Sequence, residues 1–566
     1  MMKRIKVLQL LLCLVLVAGC NVNEDCVDGN IILFNSTIYT LDAANPRSDS
    51  MVVSGNQIAF VGKQEDTKKY ECGAFSKIDI QGNYIFPGFT DSHAHLKGIG
   101  YRETTLNLQG INSLKETIQV VRDFSKSKEK GEWVVGRGWI EKLWPEKRFP
   151  TKEDIDQFSK DRPIFLERAD GHAVLVNSYA LNLAGIDAST EDPHGGAIRK
   201  GEDGKPTGIL VDKAISLVEK LLPPKSQSED KKALEEGLKR SVRLGWTQIQ
   251  NAGGSYEDFE LLKQIKLEGN LVSRIYYAVS DGEPALELLK MGPQLDPENM
   301  LIARGVKLYA DGALGSRGAF LLKNYSDFKS KGLLIFKKEE TIPKLIEALK
   351  KGIQIQTHAI GDAANKITLD WYEEAFKSVP KEGRYVPKPR WRIEHSQNIQ
   401  TEDILRFRDL EVIASMQPSH AIGDLHFAID RLGLKRVKNA YKWNTLIKEG
   451  VLVIGGTDAP VEIGDPLIEF YAAVTRKDVD GFYAEGWHLE EAISRLEALK
   501  MFTLWPSFGA FQEDIRGSIE VGKLADLTVF SKDIMTIEAE EILKTQNVLT
   551  MVHGKVVFNN LKKRAP

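Results

Sequence analysis

Short apolar runs rich in β-branched residues recur along this chain, and many are separated by longer stretches of helical character. From Ile31 to Gly62 the runs are β-like and broken by turn residues: IILFNSTIYTLD, then SMVVSGNQIAFVG, with Ser54-Gly55-Asn56 as a hairpin signal. Ala74 to Gln81 supplies another short strand. The far end has the same character, since Gly517 to Phe530 and Val548 to Phe558 read as short strands with glycine turns. Two β-rich ends around a mixed middle predict one small β-sandwich domain built from both termini.

The middle alternates strands with helices. Candidate strands are Tyr84–Thr90, Trp246–Asn251, Arg274–Val279, Val306–Tyr309, Ile353–Thr357, Trp391–Glu394, Val412–Met416 and Val451–Ile454. Helical stretches such as Tyr256–Glu268, Glu340–Lys351, Ala363–Ser378 and Glu402–Leu410 lie between them. That alternation predicts an α/β fold, a (β/α)8 TIM barrel. About 150 residues separate the first strand from the second, too many for a simple crossover. They carry their own strand signals, Trp133–Gly136 and Pro163–Arg168, and helices near Ser113–Ser125 and Lys231–Leu244. This predicts an insertion after barrel strand 1, spanning about 100–240 and lying over the barrel mouth. The resulting division is a leader at 1–19, the sandwich at 20–86 and 506–566, and the barrel with its insertion at 87–505.

Sites in a TIM barrel sit at the C-terminal ends of the strands. The first strand leads into His93-Ala94-His95. Residues i and i+2 of an extended strand point to the same side, so the two imidazoles can grip one cation. Lys307 stands inside the apolar fourth run, where an amine is costly unless paired or chemically used. The fifth run ends in Thr357-His358-Ala-Ile-Gly-Asp362, the sixth in Ile393-Glu394-His395 and the eighth in Gly455-Gly456-Thr457-Asp458. Each alone has an ordinary structural explanation. Ligand types ending five strands on one rim predict a metal centre.

At this point the chain resembles the amidohydrolase superfamily of metal-dependent hydrolases, in the branch of the YtcJ-like proteins and N-substituted formamide deformylases. The likeness rests on PGFTDSHAHL, GRGW at Gly136–Trp139, RADGHAVLVNSYAL at Arg168–Leu181 and GGAIRKGEDGKPTGIL. VKLYADGALGSRGA, QTHAIGD, RIEHSQ, GGTDAPV and GSIEVGKLADLTVF carry it further. It implies two divalent metals, with His93, His95 and Asp458 on the more buried ion and His358 and His395 on the second. Lys307, carboxylated by CO2 to a carbamate, bridges both. Zinc is the default for such ligands, with iron, manganese or nickel as substitutes. The implied activity is an amidohydrolase of non-peptide C–N bonds, cleaving an amide or N-acyl bond of a small molecule, with Asp458 as general base. A homodimer is common among such barrels. The alternatives are hydrolysis of a lactone, ester or cyclic amidine, and a non-catalytic ligand-binding surface lipoprotein.

Several further residues are candidates for substrate contact. His172, in DGHAVLVN of the insertion, is placed to reach over the mouth as a second catalytic group. Arg317 follows the fourth strand and suits a carboxylate or carbonyl. Trp139, with Trp144, suits an apolar pocket wall. Of the remaining histidines His420, after the seventh strand in MQPSH, has the best case.

The first twenty residues change the picture of where the protein works. Lys3, Arg4 and Lys6 precede an apolar run from Val7 to Val17, too short to span a bilayer comfortably, and Leu16-Val17-Ala18-Gly19-Cys20 follows. The last resembles a bacterial lipoprotein cleavage box, implying lipid on Cys20 and an exported, membrane-anchored protein, on the outer membrane if the host has one. Cys26 and Cys72 then remain in an oxidising compartment, where either a disulfide or two free thiols is allowed. The 566-residue chain is 42% hydrophobic and 27% charged with net charge −3, so no basic patch suggests a nucleic-acid partner.

Overall fold

The computed structural model describes residues 28–562, apart from 142, 143, 147, 170, 172, 194, 195, 483 and 484. The leader at 1–19, Cys20, Cys26 and His172 therefore lie outside the described residues. Cys72 is disulfide-bonded.

The chain ends build two facing sheets. In the first, Asn30–Phe34 lies between Ser50–Ser54 and Phe75–Asp79, with Gln57–Gly62 at the edge. In the second, Tyr84–Pro87 pairs in parallel with Thr37–Tyr39 and antiparallel with Leu527–Phe530. N-terminal and C-terminal segments are thus joined strand to strand. Leu33, Met51 and Val53 from one sheet pack with Ile38, Ile85 and Leu527 from the other in a single buried cluster, which makes the pair a sandwich.

The run expected as one strand, Tyr84 to Thr90, divides in two. Its first half belongs to the sandwich, and the first barrel strand is Phe89–Ala94. Gly88 is the pivot: a Cβ there would lie 2.3 Å from the Thr247 hydroxyl and 2.9 Å from Asp526 Cβ. Only glycine lets the chain change sheets at that closeness.

Trp246–Ala252, Arg274–Ser280, Leu301–Tyr309, Gln354–Ala359, Arg392–His395, Ile413–Met416 and Val453–Gly455 are barrel strands two to eight, each parallel to its neighbour. The first and eighth close the ring through their ends. The His93 carbonyl accepts from the Thr457 and Asp458 amides at 3.2 and 2.7 Å, and His95 N–H donates to Ala459 O at 2.8 Å. Gly456 permits this approach, since a Cβ there would sit 2.5 Å from His93 N. At the opposite end, Asp526 of the sandwich accepts from Arg274 at 2.6 and 2.9 Å and from Arg516 at 3.3 Å, all buried. Burial opposes the Asp526 charge, but the two guanidinium groups outweigh it and bring its pKa down to about 2.

The segment between the first and second barrel strands forms its own mixed sheet. Its order is Gly196–Lys200, Pro206–Asp212, Ala173–Val176, Ile164–Arg168, Val134–Trp139 and Leu106–Asn107. Helix Gln227–Leu244 leads back to the barrel.

Candidate metal centre

The barrel ladders place the strand ends level with one another. Tyr309 pairs with His358, His358 with Glu394 and Ala359 with His395 across adjacent strands. On the resulting rim His93 and Lys307 are fully buried, and His395 and Asp458 nearly so. His93 Nε2 lies 3.4 Å from Lys307 Nζ and 3.4 Å from Asp458 Oδ1, and His95 Nε2 lies 3.0 Å from the same carboxylate oxygen. The His395 ring centre is 4.7 Å from that of His93 and 4.5 Å from that of His358. All six residues expected as ligands therefore converge. Two are held in left-handed backbone, His395 at φ 73° and Asp458 at φ 57°. Such conformations are costly in non-glycine residues and persist where the surroundings impose them.

Electrostatics suits the donor set. Burial, and then the nearby Lys307 amine, push His358 down to about 3, while burial and the neighbouring imidazoles hold His395 well below its ordinary value. Both are neutral at physiological pH, the form that ligates a metal. Burial also lowers the Lys307 amine, against the pull of Glu394 and Asp458. Burial would raise Asp458, but hydrogen bonds from His93 and His95 hold it well below the usual carboxylate range. His93 goes up: burial and Lys307 oppose its charge, and Glu394 and Asp458 outweigh them. Ligand atoms of His93, His395 and Asp458 all lie within 4.8 Å of one another. Neutral imidazoles around a buried carboxylate fit a divalent cation, which replaces a shared proton as the counter-charge.

A surrounding layer fixes these side chains. His93 Nδ1–H donates to Glu394 Oε2 at 2.6 Å, which leaves Nε2 facing Lys307 and Asp458. Gln417 Oε1 lies 2.9 Å from His395 Nδ1. Asp91 accepts from the Thr457 amide at 2.9 Å and its hydroxyl at 2.7 Å, and so ties the first strand to the loop bearing Asp458. Asp311 accepts from the Ile360, Gly361 and Phe320 amides and lies 3.5 Å from His358 Nε2. His420 was the weaker candidate, yet it faces the rim: its ring stacks on His395 at 5.7 Å, and Nε2 is 3.5 Å from Asp458 Oδ2.

The remaining substrate candidates among the described residues each have a structural partner. The Arg317 guanidinium pairs with Asp327 at 2.8 Å. Trp139 is buried in the insertion, donates to Leu166 O at 2.8 Å and packs on Trp144 at 6.2 Å between ring centres. It is a core residue of that sheet. Trp144 is buried there too and donates to Ile111 O.

A parallel barrel whose strand ends gather histidines, a carboxylate and a buried lysine is the plan of a metal-dependent hydrolase. The Amidohydrolase family model matches residues 77–558, and the chain belongs to that family. It is 33% identical to "Putative amidohydrolase YtcJ" of Bacillus subtilis (strain 168), over 92% of this chain and 98% of that protein. It is 26% identical to N-substituted formamide deformylase of Arthrobacter pascens, over 93% of this chain and 97% of that protein. Among solved structures it resembles an uncharacterized metal-dependent hydrolase from Pyrococcus furiosus, with TM-score 0.71, 27% identity, 90% of this chain and 100% of that one covered.

If Glu394 orients His93 for a metal, Glu394→Gln keeps the shape and loses the charge. Metal affinity measured by chelator competition should then fall about 10–100-fold. An affinity equal to the native protein's would show that the His93–Glu394 contact is merely structural.

Proposed function

We propose that the protein hydrolyses a C–N bond, amide or N-acyl, of a small molecule at this rim. The observation that carries the proposal is the buried, ionised Asp458 held among His93, His95 and His395 beside the Lys307 amine. The likeness to an N-substituted formamide deformylase supports the choice of bond.

In this reading His93, His95 and Asp458 would hold one divalent ion and His358 and His395 a second, with zinc the default and iron, manganese or nickel as alternatives. Lys307, as a carbamate, would add oxygen donors between these two sets of side chains. Burial favours its neutral amine, whose lone pair adds to the carbon of CO2 and which then gives up a proton. The bound ions supply polarisation of the scissile carbonyl and acidification of a water. Asp458, hydrogen-bonded by His93 and His95, would take up a proton from the attacking water and deliver it to the leaving nitrogen, so that the amine departs neutral.

Asp458→Asn preserves size and hydrogen-bonding shape but removes the base. Against a panel of N-formyl and N-acyl amines, esters and lactones, the native protein should release free amine, and kcat in the variant should drop about 10²–10⁴-fold. Full activity in the variant, or turnover confined to lactones and esters, would refute the assignment.

The same proposal makes 1–19 an export signal and Cys20 a lipid-bearing first residue on the membrane surface. Metabolic labelling with palmitate in a bacterial host should mark the native chain and leave Cys20→Ala unlabelled. Equal labelling of both, or of neither, contradicts it.

A further inference from the structure

Next to the rim, helix Pro418–Asp424, the loop after the eighth strand and the start of helix Pro466–Thr475 line a half-open chamber of about 110 Å3. Ile422, Ile468 and Val479 give it apolar walls, and Glu462, Glu469 and Asp478 give it carboxyl groups. We propose that this chamber is a substrate subsite for a cationic amino group, an ammonium or amidinium carried by the molecule whose bond is cut. The inference rests on the hydrolytic reading above and names the substrate class that reading leaves open.

The carboxyl groups are unequal. Asp478 already faces His426 at 3.0 Å and accepts from the Asp480 amide. Glu469 is buried and accepts from the Ser419 amide at 2.9 Å. The Glu462 carboxyl accepts no hydrogen bond among the described residues; the nearest ring nitrogen, His420 Nε2, stands 3.7 Å away, and the side chain is 27% exposed. The nearest guanidinium, Arg102, donates instead to the main-chain carbonyls of Glu462 and Ile463, at 2.6 and 2.8 Å. Burial, with Asp424 and Asp458 nearby, pushes the Glu462 carboxyl up to about 8, so on its own it keeps its proton, and a ligand cation supplies the counter-charge that lets it ionise.

A second feature points the same way. His420 is 7% exposed, and its Nε2 has no hydrogen-bond partner among the described residues. That atom is 3.5 Å from Asp458 Oδ2 on one side and 3.7 Å from Glu462 Oε1 on the other. His420 therefore stands where the reacting end of a substrate passes into the chamber, with a free nitrogen aimed between them. The small volume suits a short aminoalkyl chain, methylenes against Ile422, Ile468 and Val479 and the charged head against Glu462.

The test begins with binding, which needs no turnover. Calorimetry on the metal-loaded full chain compares n-butylammonium, n-butanol and n-butanoate. The ammonium should bind best, and its affinity should fall about tenfold or more in Glu462→Gln. Substrate kinetics follow. The ratio of kcat/KM for an N-acyl substrate with a terminal ammonium to that of its neutral isostere should fall about tenfold in the same variant, through KM. Equal binding of the three probes, preference for butanoate, or an unchanged ratio would overturn the subsite. Absence of any amide turnover would refute the hydrolytic reading instead, while the calorimetry still decides the subsite.

Discussion

The site depends on how the barrel closes. The first and eighth strands meet through the His93 carbonyl, which receives the Thr457 and Asp458 amides, and through Asp91, which receives the Thr457 amide and hydroxyl. Those contacts carry the Asp458 carboxyl to within reach of His93 and His95. They also explain why so much charge survives in a dry place. A buried amine or carboxylate alone costs several kcal/mol. Here Lys307, Glu394, Asp458 and His93 compensate one another, so the group is tolerable only as a set. Loss of one member leaves the others as uncompensated buried charge.

Much of this was legible in the sequence because the signals were periodic or local. The barrel strands emerge within a few residues of their expected bounds, since each is a buried apolar run of adequate length. The residues that gather on the rim followed from reading which ligand types stand in or end those runs, and their assignment to metals came from the family resemblance. The split of Tyr84 to Thr90 was hidden because both halves are equally apolar, and only the three-dimensional crowding at Gly88 reveals the change of sheet. Helix Gln227–Leu244 begins four residues before the expected Lys231 because Ser226 and Glu229 form a capping box that extends it into a polar stretch.

Other parts were beyond a pattern reading for physical reasons. Glu394 and His395 are neighbours, and neighbours in an ideal strand point to opposite faces. Both serve the rim because His395 leaves the strand in left-handed backbone, which alternation cannot foresee. His420 lies after a strand with no ligand of its own and gains its meaning from Asp458 and Glu462, distant in sequence. Trp139 carried promising chemistry, yet the insertion core claims its side chain, and Arg317 pairs with Asp327 near the surface. Aromatic and charged residues have many structural uses, and sequence alone does not separate these from substrate contact.

The chain is thus an amidohydrolase-family barrel whose rim gathers five histidines, a lysine and an aspartate, with an acidic chamber at its side. The central claim is that Lys307 joins two ions into one centre. Anomalous X-ray diffraction at a metal absorption edge, on crystals grown with bicarbonate, tests it most directly. The account predicts two anomalous peaks on the rim, about 3.5–4 Å apart as in two-metal hydrolases, with carbamate density on Lys307 between them. A lysine amine without added density, or peaks away from His93 and Asp458, would contradict it.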